Sequence, residues 1–145
     1  DCIRAAMRQE KVIVRNPHST RPYQHVLEPL AVYLKIAALQ YENREYEGCY
    51  NVGPDDIDCV CTSDLVTMFC KAWGDGMDWE NRYDGGPHEA NFLKLDCSKI
   101  KKKLNWKPRY HVNEAVLKTV EWSKAYCENQ NMQEVTRQQI REFFE

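Results

Sequence analysis

The sequence predicts an α/β fold in which short strands are flanked by helices, all within one small domain. Three observations point there. Short β-branched or apolar runs, Lys11 to Arg15 and Phe92 to Leu95, alternate with stretches whose apolar residues recur at helical spacing. Proline and glycine mark the boundaries, at Asn16-Pro17, Pro22, Pro29, Gly53-Pro54, Gly74 and Gly85-Gly86-Pro87. The 145 residues hold no internal repeat and no low-complexity linker, so 1–145 reads as one unit. A chain of that length buries roughly two-thirds of its unfolded surface, enough for one core.

The elements follow in order. Ile3, Ala6 and Met7 lie on one face of an opening helix that ends near Glu10. The abrupt start, with no initiating Met, reads as an internal cut. Lys11 to Arg15 is a short strand, broken at Asn16-Pro17 because the residue before proline is pushed away from helical angles. Pro29 suits the first turn of the next helix, where a missing N–H costs nothing. Leu30, Leu34, Ala37, Ala38 and Tyr41 form a stripe expected to face the core, with the helix running to about Asn43. Gly48 to Pro54 reads as a short strand closed by a turn.

Thr62-Ser63-Asp64 offers N-cap chemistry to a helix whose face is Leu65, Val66, Phe69, Cys70 and Trp73, stopped by Gly74. Residues 74–91 are loop-rich, and Phe92 to Leu95 is a strand candidate. A short helix then spans Asp96 to Leu104, ended by Asn105 in the left-handed conformation, with Trp106 folding back on the core. Another begins near Asn113 with Ala115, Val116, Thr119, Val120 and Ser123 on one side. Thr136 to Gln139 fits a capping box, and Val135 with Ile140 a hydrophobic staple, for a last helix ending near Phe144.

Composition excludes some functions. The chain is 43% hydrophobic and 29% charged with a formal net charge of −2, so it has no footprint for nucleic acid or an anionic membrane. No apolar run approaches the roughly 20 residues of a bilayer span, and nothing at the start reads as a signal peptide. Seven cysteines, an odd number, read as reduced, partly buried thiols of a cytoplasmic protein. Cys59-Val60-Cys61 lacks a second pair at zinc spacing, so no metal site is expected.

Three constellations could carry chemistry. In the loop from Asn16 to His25, Arg21 stands between a polar turn and Pro22, a rigid way to present a planar fork of donors to phosphate oxygens. Asn16, Gln24 and His25 could add neutral donors and acceptors; the alternative is a surface loop with a solvated arginine. Gly85 to Asn91 carries His88 and Glu89 side by side and could wall a pocket, or be an exposed loop. Asn51 to Asp56 ends a strand, where ligands of open α/β folds gather. Its acidic pair favours a plain turn with solvated carboxylates. None of these is specific enough to be called catalytic.

Taken together, these segments resemble one family. Arg15-Asn16-Pro17 followed by Arg21-Pro22-Tyr23-Gln24-His25-Val26-Leu27-Glu28-Pro29-Leu30 is similar to the signature of CDP-glucose 4,6-dehydratases, within the extended short-chain dehydrogenase/reductases. Tyr50 to Pro54, Pro87-His88-Glu89-Ala90 and Leu93-Lys94-Leu95-Asp96-Cys97-Ser98-Lys99 follow in the same order. Leu104-Asn105-Trp106-Lys107-Pro108 resembles the ending common to the wider group, with Asn105 in place of the usual glycine. The resemblance covers essentially the whole chain.

The resemblance implies the small C-terminal, substrate-binding domain of an enzyme that uses NAD to convert CDP-glucose to CDP-4-keto-6-deoxyglucose. That product is a precursor of deoxy sugars in bacterial surface polysaccharides. NAD would be held by an N-terminal Rossmann domain that is absent from this chain, and the full-length protein would be a homo-oligomer. No Gly-rich dinucleotide loop and no Tyr-x-x-x-Lys pair occurs in the sequence, so no catalytic residue is assigned and the fragment alone is expected to be inactive. By position, Arg21 matches the arginine that contacts the diphosphate. Val12 to Val14 match the strand beside the base, where backbone groups, Val14's among them, would do the reading. His88 and Glu89 fall where dTDP-glucose relatives place a second pocket arginine, which this chain lacks. The rivals are a UDP- or GDP-sugar epimerase or dehydratase, and a non-catalytic module that holds a sugar nucleotide. A face that met a Rossmann domain would also be bare here, predicting an exposed apolar patch.

Overall fold

Prolines set the frame of the fold: Pro17 follows the end of the first strand and Pro29 sits in the first turn of the second helix. The computed structural model describes residues 1–83 and 92–145. Its helices are α1 (Cys2–Met7), α2 (Leu27–Glu42), α3 (Thr62–Trp73), α4 (Ser98–Leu104), α5 (Val112–Cys127) and α6 (Met132–Phe144). Its strands are β1 (Val12–Val14), β2 (Thr20–Arg21), β3 (Val60–Cys61) and β4 (Trp79–Asn81). Single 3-10 turns lie at Arg44–Tyr46 and Asp56–Asp58. This is a mixed α/β fold in which helices predominate and strands are short.

The described strands form two pairs. β1 and β4 run parallel, with Val12 opposite Trp79 and Val14 opposite Asn81. β2 and β3 are antiparallel, with Thr20 opposite Cys61 and Arg21 opposite Val60. Phe92 adds a lone parallel bridge to Thr20.

Side chains gather in three clusters. Val12 and Val14 of β1 pack on Val66 and Cys70 of α3. Phe69 and Trp73, on the adjoining face of α3, meet Val116 and Val120 of α5. The third cluster lies elsewhere: Val32 of α2 packs on Cys97, Ile100 and Leu104, with Ile36, Leu39 and Trp106 around it. Burying a Val, Ile or Phe in such a cluster stabilises by about 1.5–3 kcal/mol each. Asn105 ends α4 at φ 46 and ψ 38, the left-handed conformation that asparagine tolerates.

Several expectations are corrected. The stripe Leu30, Leu34, Ala37, Ala38 and Tyr41 faces outward, and the buried face of α2 is Glu28, Val32, Ile36 and Leu39. Periodicity cannot choose between two faces when both are apolar. Gly48 to Pro54 forms no assigned strand; side chains hold it instead, Gln24 Nε2 donating to Val52 O at 3.0 Å and Lys99 Nζ to Cys49 O at 2.8 Å. Phe92 to Leu95 contributes one bridge rather than a strand. β4 lies in the stretch expected to be loop, because pairing with β1 makes a strand of the largely polar Trp79-Glu80-Asn81. α6 starts at Asn131, whose Oδ1 accepts from Glu134 N at 3.4 Å, and Thr136 sits inside the helix and accepts from Trp122 Nε1 at 3.0 Å.

Candidate functional site

The loop from Asn16 to His25 is held from behind by the start of α3. The first N–H groups of a helix lack intrahelical partners. Here Thr62 N donates to Ser19 O and Ser63 N to Pro17 O, both at 2.9 Å, so loop carbonyls cap the helix. Thr62 makes no side-chain cap; its hydroxyl donates to Ser19 O at 3.1 Å and lies 2.9 Å from Ser19 Oγ and 3.0 Å from the Tyr23 hydroxyl. Ser19 is buried, and its Oγ also bonds Asn16 O at 3.2 Å. One hydroxyl thus fixes the loop on both sides of Arg21.

Arg21 lies on β2, paired with β3, and its Nη1 donates to Thr20 O at 3.0 Å. Leu93 N donates to that same carbonyl at 3.1 Å, which brings the segment after residue 91 alongside. Gln24 reaches the third constellation through Val52 O. Its Oε1 is buried without a partner, the one such side-chain atom among the described residues. Asn16, Arg21 and Gln24 are all half-buried. A guanidinium set on a strand whose neighbours are hydrogen-bonded can bind an anion with two oxygens at low entropic cost.

His25 and Val14 are placed differently. His25 is 7% exposed, accepts from Leu27 N at 3.3 Å through Nδ1, and packs edge-on against Tyr110 with centroids 5.6 Å apart. Burial, with Lys118 nearby, pushes its pKa down, so the ring is neutral at neutral pH. It lines a cleft between α2, α5 and α6. Val14 is buried, and its carbonyl accepts from Arg82 N at 2.9 Å. His88 and Glu89 lie outside the described residues.

Of the acidic pair, Asp56 is exposed, as expected of a solvated carboxylate, and Asp55 is half-buried. Asp55 pairs with Lys101, and Asp56 approaches Lys94 at 3.5 Å. Asp58 is buried; its Oδ1 accepts from Val112 N and its Oδ2 meets His111 Nδ1, both at 2.9 Å, capping α5. Glu28, which the sequence reading passed over, is 1% exposed, and its Oε1 accepts from Arg109 N and Tyr110 N, both at 2.8 Å. Burial pushes its pKa up despite those two bonds. An acid on the packed side of an otherwise apolar helix was the available signal. The Ser19–Thr62 contact spans 43 positions and had no local signal.

No family model matches the chain. Along 99% of its length the chain is similar to the CDP-glucose 4,6-dehydratase of Salmonella typhimurium, with 37% identity over 144 residues. It spans 40% of the length of that protein.

Proposed function

We propose that residues 1–145 are the nucleotide-sugar-holding part of a CDP-glucose 4,6-dehydratase, with Arg21 contacting the diphosphate. The observation that carries this is the similarity along 99% of the chain, together with a loop that holds Arg21 on a clamped strand. Asn16, Gln24, His88 and Glu89 supply the remaining polar wall in this reading. His25 holds the loop's far end rather than touching substrate, since its ring is buried against Tyr110. Val14 acts through the placement of β1, its carbonyl being engaged by Arg82.

The activity proposed for the longer protein is the NAD-dependent conversion of CDP-glucose to CDP-4-keto-6-deoxyglucose. NAD supplies hydride chemistry when bound. The residues of this chain include no Gly-rich dinucleotide loop, so NAD falls to the part of the protein outside it. Residues 1–145 alone then position substrate and turn nothing over. No described helix is long and apolar enough to cross a membrane.

The test is calorimetric titration with CDP-glucose, CDP, UDP-glucose and dTDP-glucose, of this chain and of the complete protein, each as wild type and Arg21→Ala. CDP-glucose should bind best, and the variant should lose roughly tenfold to a hundredfold in affinity, the value of a charge-assisted pair. Equal binding of UDP-glucose, or an unchanged variant, would overturn the assignment.

A further inference from the structure

β2 lies between β3 and the segment that starts at Phe92, and its register decides what stands beside Arg21. On one side Arg21 is paired with Val60, and Thr20 with Cys61. On the other, Thr20 forms a parallel bridge with Phe92, and Leu93 N donates to Thr20 O at 3.1 Å, which brings Leu93 level with Arg21. Successive side chains of a strand point to opposite faces, and residues level with one another share a face. Thr20, Cys61 and Phe92 therefore lie on one face, and Arg21, Val60 and Leu93 on the other.

The lysine of that segment follows the same alternation. Lys94 belongs with Phe92: its Nζ lies 5.4 Å from the centre of that ring and 3.5 Å from Asp56 Oδ2. It is thus turned from the face that carries the guanidinium. What flanks Arg21 is a pair of aliphatic side chains, Val60 half-buried and Leu93 48% exposed. The start of α3 adds no donors, because Thr62 N and Ser63 N are held by Ser19 O and Pro17 O.

Such a surface suits an ester better than a bare anion. Inorganic pyrophosphate is charged at both ends, and an aliphatic neighbour only takes water from it. A diphosphate esterified to a ring carries apolar C–H groups beside its charged centre. Those groups can cover Leu93 while the guanidinium takes the phosphate oxygens. We infer that Leu93 is a specificity-determining residue of the Arg21 site, selecting a diphosphate that bears an organic ring over the inorganic anion. The inference rests on reading Arg21 as the diphosphate contact. About half of the Leu93 surface is left for a ligand to bury, so truncating it should lower affinity roughly threefold to tenfold.

The experiment titrates the chain calorimetrically with CDP-glucose, CDP and inorganic pyrophosphate, as wild type, Leu93→Ala, Leu93→Met and Arg21→Ala. Pyrophosphate too weak to titrate directly is read by its competition with CDP-glucose. Leu93→Ala should lose roughly threefold to tenfold for CDP-glucose and stay within about twofold for pyrophosphate. A loss shared by CDP assigns the covering ring to the nucleoside, and a loss confined to CDP-glucose assigns it to the hexose. Leu93→Met keeps the apolar length and should bind CDP-glucose within about twofold of wild type. Equal losses for CDP-glucose and pyrophosphate would make Leu93 a mere support of the loop and overturn the inference, as would no loss for either. Arg21→Ala reports separately: if it binds as wild type the diphosphate reading itself fails, whereas an impaired Arg21→Ala beside an unselective Leu93→Ala sinks the inference alone. No binding of any of the three by the wild type removes both.

Discussion

Replacing Glu28 tests how the α2 cluster is fastened to the rest of the molecule. Glu28 Oε1 accepts the N–H groups of Arg109 and Tyr110, which join α4 to α5, at 1% exposure. Glu28→Ala strands two part-buried backbone donors at about 1–3 kcal/mol each, partly offset by removing a buried carboxylate, and leaves a cavity. The expected cost is about 3–5 kcal/mol, a large part of the 5–15 kcal/mol typical of a whole domain. Glu28→Gln keeps an acceptor oxygen and should fall within about 1 kcal/mol of wild type in mild acid. The sign of the pH dependence follows from burial, which raises the folded pKa above 4.5. The protonated group's contribution is complete below that unfolded value and is lost as pH rises through the folded pKa. Glutamine does not titrate, so the Gln variant should gain on wild type between about pH 4.5 and about pH 7.5. Urea unfolding followed by far-UV circular dichroism at those two pH values measures both effects. A Gln variant as damaged as the Ala variant at each pH would show that the charge itself holds the loop, and a cost below about 1 kcal/mol for Ala would remove the clamp altogether.

Thr62→Val keeps the shape and removes the hydroxyl shared by Ser19 and Tyr23, so unfolding free energy should fall by about 1–3 kcal/mol. Amide exchange should quicken at Thr20 and Arg21; unchanged protection there would mean the hydroxyl does not hold the loop. His111 is raised by its hydrogen bond to Asp58. Its contribution is therefore full below 6.5 and disappears as pH rises through the folded value. The melting difference between wild type and His111→Ala should shrink from about pH 6 to about pH 9, and a difference that grows instead would reverse the assignment.

Much of the helical framework was legible because periodicity and stop signals are local: the Val66–Trp73 face of α3, Gly74 at its end and Asn105 after α4 all lie within a few residues of what they control. β1 was legible in the run from Lys11 to Arg15, but β4 was not, since it is a strand by virtue of β1, some 67 positions away in the pairing of Val12 with Trp79. α2 was placed but turned over, because one chain cannot say which of two apolar faces its own core takes. The site was legible at Arg21, where proline and a polar turn frame a guanidinium. Its support from Thr62, which acts on Ser19 O 43 positions away, was not, nor were the clamps that Asp58 and Glu28 make elsewhere in the fold on backbone 54 and 82 positions away.

Those supports bear on how an anion is held. Helix N-termini commonly bind phosphate with their unpaired N–H groups. The start of α3 lies beside the Arg21 loop, yet Thr62 N and Ser63 N are already taken by Ser19 O and Pro17 O. In the proposed site the diphosphate is left to side chains, the Arg21 guanidinium first among them. The nearby His25 is kept neutral by burial and is turned to Tyr110. Affinity for CDP-glucose should then be flat between about pH 6.5 and about pH 9, while falling with added salt. Calorimetry at both ends of that range decides it. An affinity that climbs as pH drops through the ordinary histidine range would place a protonated imidazole on the phosphates and displace Arg21 from the principal role.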